Sequence, residues 1–348
     1  MRRRLRSFVG SRLILLPSAF FLTGCAQSVG PMDWLGPVAG DQAEAQRWIT
    51  WYLLYLGAAV FVFVEGWLLY NIIKFRRPLG PGRLPPQIHG HPTVEVLWTV
   101  IPTLIVAAIV VPSVPAIFSF AHAPDEAGAL QVEVVGHQWW WEFKYPNIVP
   151  GKTITVANEL KIPVGRTVIA RLTSADVIHS FWVPKLSGKV DVIPGRQVNQ
   201  IWFNAREPGE YYGWCAEFCG VQHAQMRFRV TAVSPAEFEA WVRTRLSPPA
   251  LPTGGPARQG YELFGSRGCG GCHTIEGTPY QGKVGPNLTN IGERSTVGAG
   301  ILPNDPQGEG LFRWIKNPQA VKPGNRMPNL GLSDDDVRSI VDYLKTLR

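Results

Sequence analysis

The sequence predicts a multi-domain membrane protein: a two-helix transmembrane hairpin, then an all-β domain, then an all-α domain at the C-terminal end. Three observations carry this. Two long apolar runs, residues 51–73 and 94–119, each suffice to cross a hydrocarbon core as a helix. From about Leu130 to Ala232 the pattern changes to short β-rich runs such as LQVEVVGHQWWWEFKY, TVIARLTSAD and QVNQIWFNA, separated by Pro-Gly and Gly turns. Strands at this spacing suggest a small antiparallel sandwich or barrel. Residues 258–348 read as helices with long loops, closed by LSDDDVRSIVDYLKTLR with Ser333 as cap and acids in its first turn.

Residues 1–24 combine a basic start, a short apolar stretch and small residues before Cys25, the layout of a secretory signal. LTGC resembles the bacterial lipobox, in which the cysteine becomes the lipidated first residue; an uncleaved signal anchor is the alternative. Either way, the chain beyond this leader is exported. The formal charge of +8 depends on the leader, because Arg2, Arg3, Arg4, Arg6 and Arg12 lie in it. Without them 29 basic side chains face 26 acidic ones. That balance, with no basic patch interleaved with aromatics, argues against nucleic acid as a partner.

The segment 25–122 holds the hairpin. Its loop, KFRRPLGPGRLPPQIHGHPT, carries Lys74, Arg76, Arg77 and Arg83 and no acid, so the positive-inside rule puts it in the cytoplasm and both hairpin ends outside. Trp48 and Trp51 suit the interfacial belt, whereas Trp67 and Glu65 lie within the first span. The β domain is expected over 128–246, ending in SPAEFEAWVRTRL, a helix with Ser234 as N-cap and Glu237 at the capping-box position. SPPALPTGGPA, residues 247–257, reads as a Pro/Gly linker to the last domain, 258–348.

That last domain carries CGGCH, Cys269 to His273, the c-type haem attachment signature. Two thiols three apart can form thioethers to one porphyrin, and the adjacent imidazole of His273 then falls under the iron. A redox disulfide of the thioredoxin kind lacks its surrounding βαβ pattern here. No histidine occurs after His273, and Met327 is the only methionine of the domain. Its setting, NRMPNL, resembles the Met-Pro turn of class I cytochromes c, and GPNL at 285–288 resembles their loop on the proximal side. Methionine with histidine raises the haem potential, which suits electron transfer.

The other close pair of cysteines lies in GWCAEFCGVQHAQM, residues 213–226. A disulfide between Cys215 and Cys219 would close a short ring of little stabilising value, and it would leave His223 and Met226 unexplained. Thiolate, imidazole and thioether form a soft donor set of the kind copper takes in electron-transfer sites. His179, in SADVIHSFWVP, is placed to supply an imidazole from an earlier strand. One thiolate is surplus for a single copper, and two bridging thiolates allow two copper ions to share the site. Sharing one electron over two metals spreads each geometric change and lowers the reorganisation energy.

HSFWVP, DVIPGRQVNQIWF, PGEYYGWCAEFCGVQHAQM and the hairpin with EVLWTVIPTLIV resemble subunit II of cytochrome c oxidase, a bacterial haem-copper respiratory oxidase. The resemblance spans about residues 40–245, and the appended haem c domain is similar to those bacterial forms whose subunit II carries its own cytochrome c. It implies an all-β cupredoxin domain and an all-α class I cytochrome c domain, both outside the cell membrane. It implies a binuclear copper centre, CuA, held by His179, Cys215, the Glu217 carbonyl, Cys219, His223 and Met226. It further implies magnesium on the Glu217 side chain at the subunit I interface. Ala216 and Phe218 depart from the commonest family residues, but neither is a ligand position. The cluster GHQWWWEFKYP also matches, with Trp139 as the surface ring where electrons come in, able to face the tethered haem; a buried core tryptophan is the plain alternative, and strand alternation turns Trp140 or Trp141 inward. Glu95 resembles the glutamate at the mouth of a proton-conducting channel completed by subunit I, against a plain interfacial carboxylate. His137 is expected to be structural, and His89, His91 and His122 to be solvated.

The expected function is electron input to a proton-translocating terminal oxidase. Electrons run from an external donor, such as cytochrome c or a quinol-cytochrome c reductase complex, through haem c to CuA and on to subunit I, where oxygen is reduced to water. Subunit III is a further expected partner. The alternatives are the input subunit of a CuA-containing nitric oxide reductase and a membrane-tethered copper or electron carrier with no catalytic partner. A quinol oxidase subunit II is disfavoured, since that family keeps the fold and lacks these copper ligands.

Overall fold

A computed structural model describes residues 30, 32–76 and 86–348. Cys25, Arg77 and Arg83 lie outside the described residues. Two long helices, α1 (Asp41–Phe75) and α2 (Pro92–Ala121), are apolar enough to cross a membrane. Helix α1 starts ten residues before the expected span because its first turns dock on the β domain rather than on lipid. The Ala39 and Gly40 amides donate to the Lys185 carbonyl at 2.9 and 3.0 Å, and the Arg206 amide donates to the Ala39 carbonyl at 2.8 Å. Asp41 and Glu44 sit in that first turn, where the helix dipole favours acids. Tyr52 ties the hairpin together by donating to the Ala108 carbonyl at 3.0 Å.

The β domain is a sandwich of two five-stranded sheets. One contains, in spatial order, β3 (Lys152–Ala157), β2 (Trp140–Val149), β1 (Leu130–His137), β5 (Val168–Ser174) and β8 (Asn199–Phe203). The other orders β4 (Glu159–Pro163), β10 (Arg227–Val233), β9 (Gly209–Cys215), β6 (His179–Trp182) and β7 (Lys189–Val192). Of the expected antiparallel sandwich or barrel the chain forms a sandwich, and it departs from antiparallel pairing at two parallel pairs, β1 with β5 and β4 with β10. The chain passes through three intervening strands before β5 joins β1, and that long crossover permits parallel pairing. Strand alternation sends Trp141, Phe143, Phe181 and Phe228 into the fully buried core. Trp140 turns to the other face and stacks on His137, with ring centroids 4.1 Å apart.

Helix α3 (Pro235–Arg245) carries the complete capping box of Ser234 and Glu237. Helix α4 (Gly255–Ser266) begins inside the stretch expected to be linker, with Pro256 in its first turn, where a missing amide hydrogen costs nothing. The C-terminal domain adds a two-stranded ribbon, β11 (Thr296–Val297) and β12 (Leu302–Pro303), and helices α5 (Glu309–Lys316), α6 (Pro318–Val321) and α7 (Asp334–Thr346). Ser333 caps α7 by accepting from the Asp336 amide. Its core gathers Phe264, Ile275, Ile340 and Tyr343.

The two folded domains are joined directly. One Glu159 oxygen accepts from the Ser295 and Thr296 amides at 2.8 and 3.0 Å, and from both hydroxyls. Buried Arg245 pairs with Glu293.

Candidate metal centre

Cys215 ends β9, His179 opens β6, and the loop from Ala216 to Met226 returns to β10. The strand pairing of Phe181 with Cys215 brings the earlier histidine to the cysteine loop. Both cysteines are free and buried, with sulfurs 3.8 Å apart. Around this pair the donors divide evenly. His179 Nδ1 lies 3.9 Å from Cys215 Sγ, and the Glu217 carbonyl lies 3.2 Å from the same sulfur. His223 Nδ1 and Met226 Sδ lie 3.6 and 3.9 Å from Cys219 Sγ. Two sulfurs facing each other, each flanked by an imidazole and one weaker donor, fit a pair of soft copper ions.

The sequence reading missed Asp176. Its carboxylate accepts from His179 Nε2 at 2.9 Å, which fixes the ring and leaves Nδ1 for the sulfur side. Burial works against the Asp176 charge, but bonds from His179 and from the Gln138 and Val177 amides outweigh it and hold the carboxyl down at about 2. For His179, burial opposes protonation, while Asp176 and Cys215 overcome it and raise the pKa. The Cys215 thiol is held below its usual range, first by its bond with Cys219, with burial opposing and His179 assisting; Cys219 is pushed up by its neighbour and by burial. Gly136 is required at the back of the site, since a Cβ there would sit 2.6 Å from His179 Cδ2. An aspartate three residues before the candidate ligand His179 was the available signal for Asp176.

The predicted haem residues converge on one apolar cavity of about 1290 Å³, open mouth included, lined by Cys269, Cys272, His273 and Met327 with core residues such as Phe264 and Leu344. His273 Nδ1 faces the Pro286 carbonyl at 2.8 Å, so Nε2 is the free ligating nitrogen. Burial lowers the His273 pKa and so favours the neutral ring that a metal ligand needs. Gly285 admits the ring, because a Cβ there would lie 2.5 Å from its Cε1. Asn325 Oδ1 accepts from the Met327 amide at 2.8 Å and fixes the Met-Pro turn. Paired thiols, one poised imidazole and one thioether around an apolar cavity fit a covalently held haem.

His137, Gln138, Trp139 and Trp140 of the β domain line the same cavity. Trp139, expected as an entry ring able to face the tethered haem, lines that cavity and is 9% exposed. Its Nε1 donates to the Cys219 carbonyl at 2.9 Å. The Glu217 side chain is exposed beside Phe218 and Val221, at 76% and 75% exposure. Glu95 reaches back to the start of α2, Oε1 accepting from the His91 amide at 3.1 Å. His91, expected to be merely solvated, is exposed and also caps α2, its Nδ1 accepting from the Val94 amide at 3.4 Å.

Comparison with known proteins agrees with this layout. The family model of the cytochrome c oxidase subunit II transmembrane domain matches residues 33–116, that of its periplasmic domain residues 150–233, and that of cytochrome c residues 257–348. Cytochrome c oxidase subunit 2 of Alkalihalophilus pseudofirmus is 38% identical, with 96% of each chain covered. The Bacillus subtilis protein of that name is 33% identical, over 97% of this chain and 98% of the relative. Quinol oxidase subunit 2 of Bacillus spizizenii is 36% identical, over 66% of this chain and 70% of the relative. With its two apolar helices, β-sandwich and C-terminal cytochrome c domain, the chain belongs to the cytochrome c oxidase subunit II family.

Proposed function

We propose that this chain is the electron-input subunit of a terminal respiratory oxidase. It takes electrons from an external donor through covalent haem c to binuclear CuA and on to the haem-copper centre of subunit I, which reduces oxygen to water with proton translocation. When bound, the haem and the copper pair supply one-electron chemistry. This chain's residues would hold and orient them: Cys269 and Cys272 as thioether anchors, His273 and Met327 as iron ligands, and the six donors from His179 to Met226 as the copper cage. Asp176 fixes the His179 tautomer, and the apolar cavity wall excludes water.

The observation that carries the reading is that one side chain touches both sites. Trp139 lines the cavity of the haem residues and bonds the carbonyl of a copper-site cysteine. The exposed Glu217, Phe218 and Val221 at the tip of the sandwich support a partner subunit on that face, with magnesium on Glu217. Glu95 is assigned to the mouth of a proton path shared with subunit I, and Cys25 to lipidation. The soft ligand set favours this reading over a quinol oxidase subunit.

Metal analysis with electron paramagnetic resonance on the purified complex tests it. Two coppers per covalent haem, with one unpaired electron spread over both copper nuclei, is the expected result. A single copper with a localised electron, or copper-free protein that still turns over oxygen, would sink the reading. Oxygen against nitric oxide turnover separates it from a nitric oxide reductase, and copurification with other subunits from a free carrier.

A further inference from the structure

The loop that presents Met327 to the haem cavity also grips the β domain. Lys322 is 3% exposed, and its Nζ donates to the Trp139 carbonyl at 2.7 Å and to the Gln225 carbonyl at 2.8 Å. Its partners thus sit at the ring shared by the two sites and immediately before the copper-site Met226. The same loop bonds twice more. Gln222 donates to the Pro323 carbonyl, and Arg326 donates to Gln138 and lies 3.6 Å from Asp176. From α6, Gln319 Nε2 donates to the Asn325 and Met327 carbonyls at 2.8 and 2.9 Å, and within the loop Asn325 Nδ2 donates to the Lys322 carbonyl at 2.7 Å. Lys322 and Met327 therefore move as one braced piece.

We propose that Lys322 is a positioning residue: it latches the Met327 loop onto Trp139 and Gln225 and so holds the haem cavity against the copper loop. The inference rests on the relay reading for its purpose, but the latch itself is a property of the folded chain. Burying a lysine amine is costly, and burial depresses its pKa to about 7. That cost persists only where the group returns more than a methylene chain would. Here it satisfies two inward-facing carbonyls at a domain seam. Without the amine those carbonyls recover partners only if the seam opens to water. The far end of the interface, where Glu159 meets Ser295 and Thr296, is independent of Lys322. Loss of the latch should thus open the metal end alone.

The test uses the full metallated complex and compares it with Lys322→Met, which keeps the length and removes the donors. Hydrogen exchange is expected to speed up about tenfold in peptides covering 138–141, 222–227 and 319–327, the scale set by losing two bonds to one buried donor. Peptides over 293–297 and α7 should not change. Turnover with the external donor should show kcat lowered about tenfold at unchanged KM, with copper and haem content intact. Unchanged exchange at the seam would overturn the proposal, and so would faster exchange throughout 258–348, which would make Lys322 a core residue of its own domain. Gln222→Ala, cut from the opposite side of the seam, must loosen 319–327 as well; if it does not, the latch fails. Absence of haem-to-copper transfer in the unsubstituted complex would sink the relay reading instead, leaving the latch to stand on exchange.

Discussion

The indole of Trp139 donates its only polar hydrogen to the carbonyl of Cys219 at 2.9 Å, so the ring that walls the cavity of His273 and Met327 is bonded to the main chain of a cysteine of the proposed copper site. Trp139→Phe keeps an aromatic ring and deletes this bond. Internal electron transfer is expected to fall roughly tenfold, the equivalent of about 1.4 kcal/mol in barrier. Flash reduction of the haem, with the copper absorbance monitored over time, measures it; an unchanged rate with full copper content would remove Trp139 from the path.

Asp176 orients His179 without itself reaching the sulfurs. Asp176→Asn retains the shape and loses the carboxylate, so copper affinity should drop about 10- to 100-fold, the usual cost of removing such a supporting carboxylate. Competition titration with a copper chelator reads the change. Equal affinity would show that the sheet alone positions His179.

Gly136 leaves room for the His179 ring. The Cβ of Gly136→Ala would lie 2.6 Å from that ring, on a strand with no freedom to retreat. A stability loss of about 1–3 kcal/mol is expected from overpacking, together with an altered copper spectrum. Thermal unfolding of the copper-loaded chain tests the first and visible absorption the second.

Asp305 accepts from the Gly310 and Glu309 amides at 2.8 and 3.1 Å, and these bonds hold its carboxyl below the usual 3.8. A depressed carboxyl stabilises the fold above its unfolded pKa and loses that contribution as pH falls through the folded value. The difference in melting temperature between the chain and Asp305→Asn should therefore be constant from neutral pH to about 5 and shrink below about 4. A difference that grows on acidification would contradict the assignment.

What the sequence determined by itself is the local part. Apolar runs, Pro/Gly turns and the Ser234 and Ser333 caps announce their elements because each depends on residues a few positions apart. The candidate donors from Cys215 to Met226 and from Cys269 to His273 are legible as clusters for the same reason: short chain spacing limits how far apart their side chains can lie. Only the tertiary structure decided that β1 pairs with β5 in parallel, that α1 extends onto the sandwich, and that Trp139 is covered. The same holds for Lys322, whose partner Trp139 is 183 positions away. Such contacts form when loop closure brings distant segments together, and a lone polar residue carries no periodicity to reveal them beforehand. The reach of each site was thus written in spacing, and the seam between the sites in the packing of two domains.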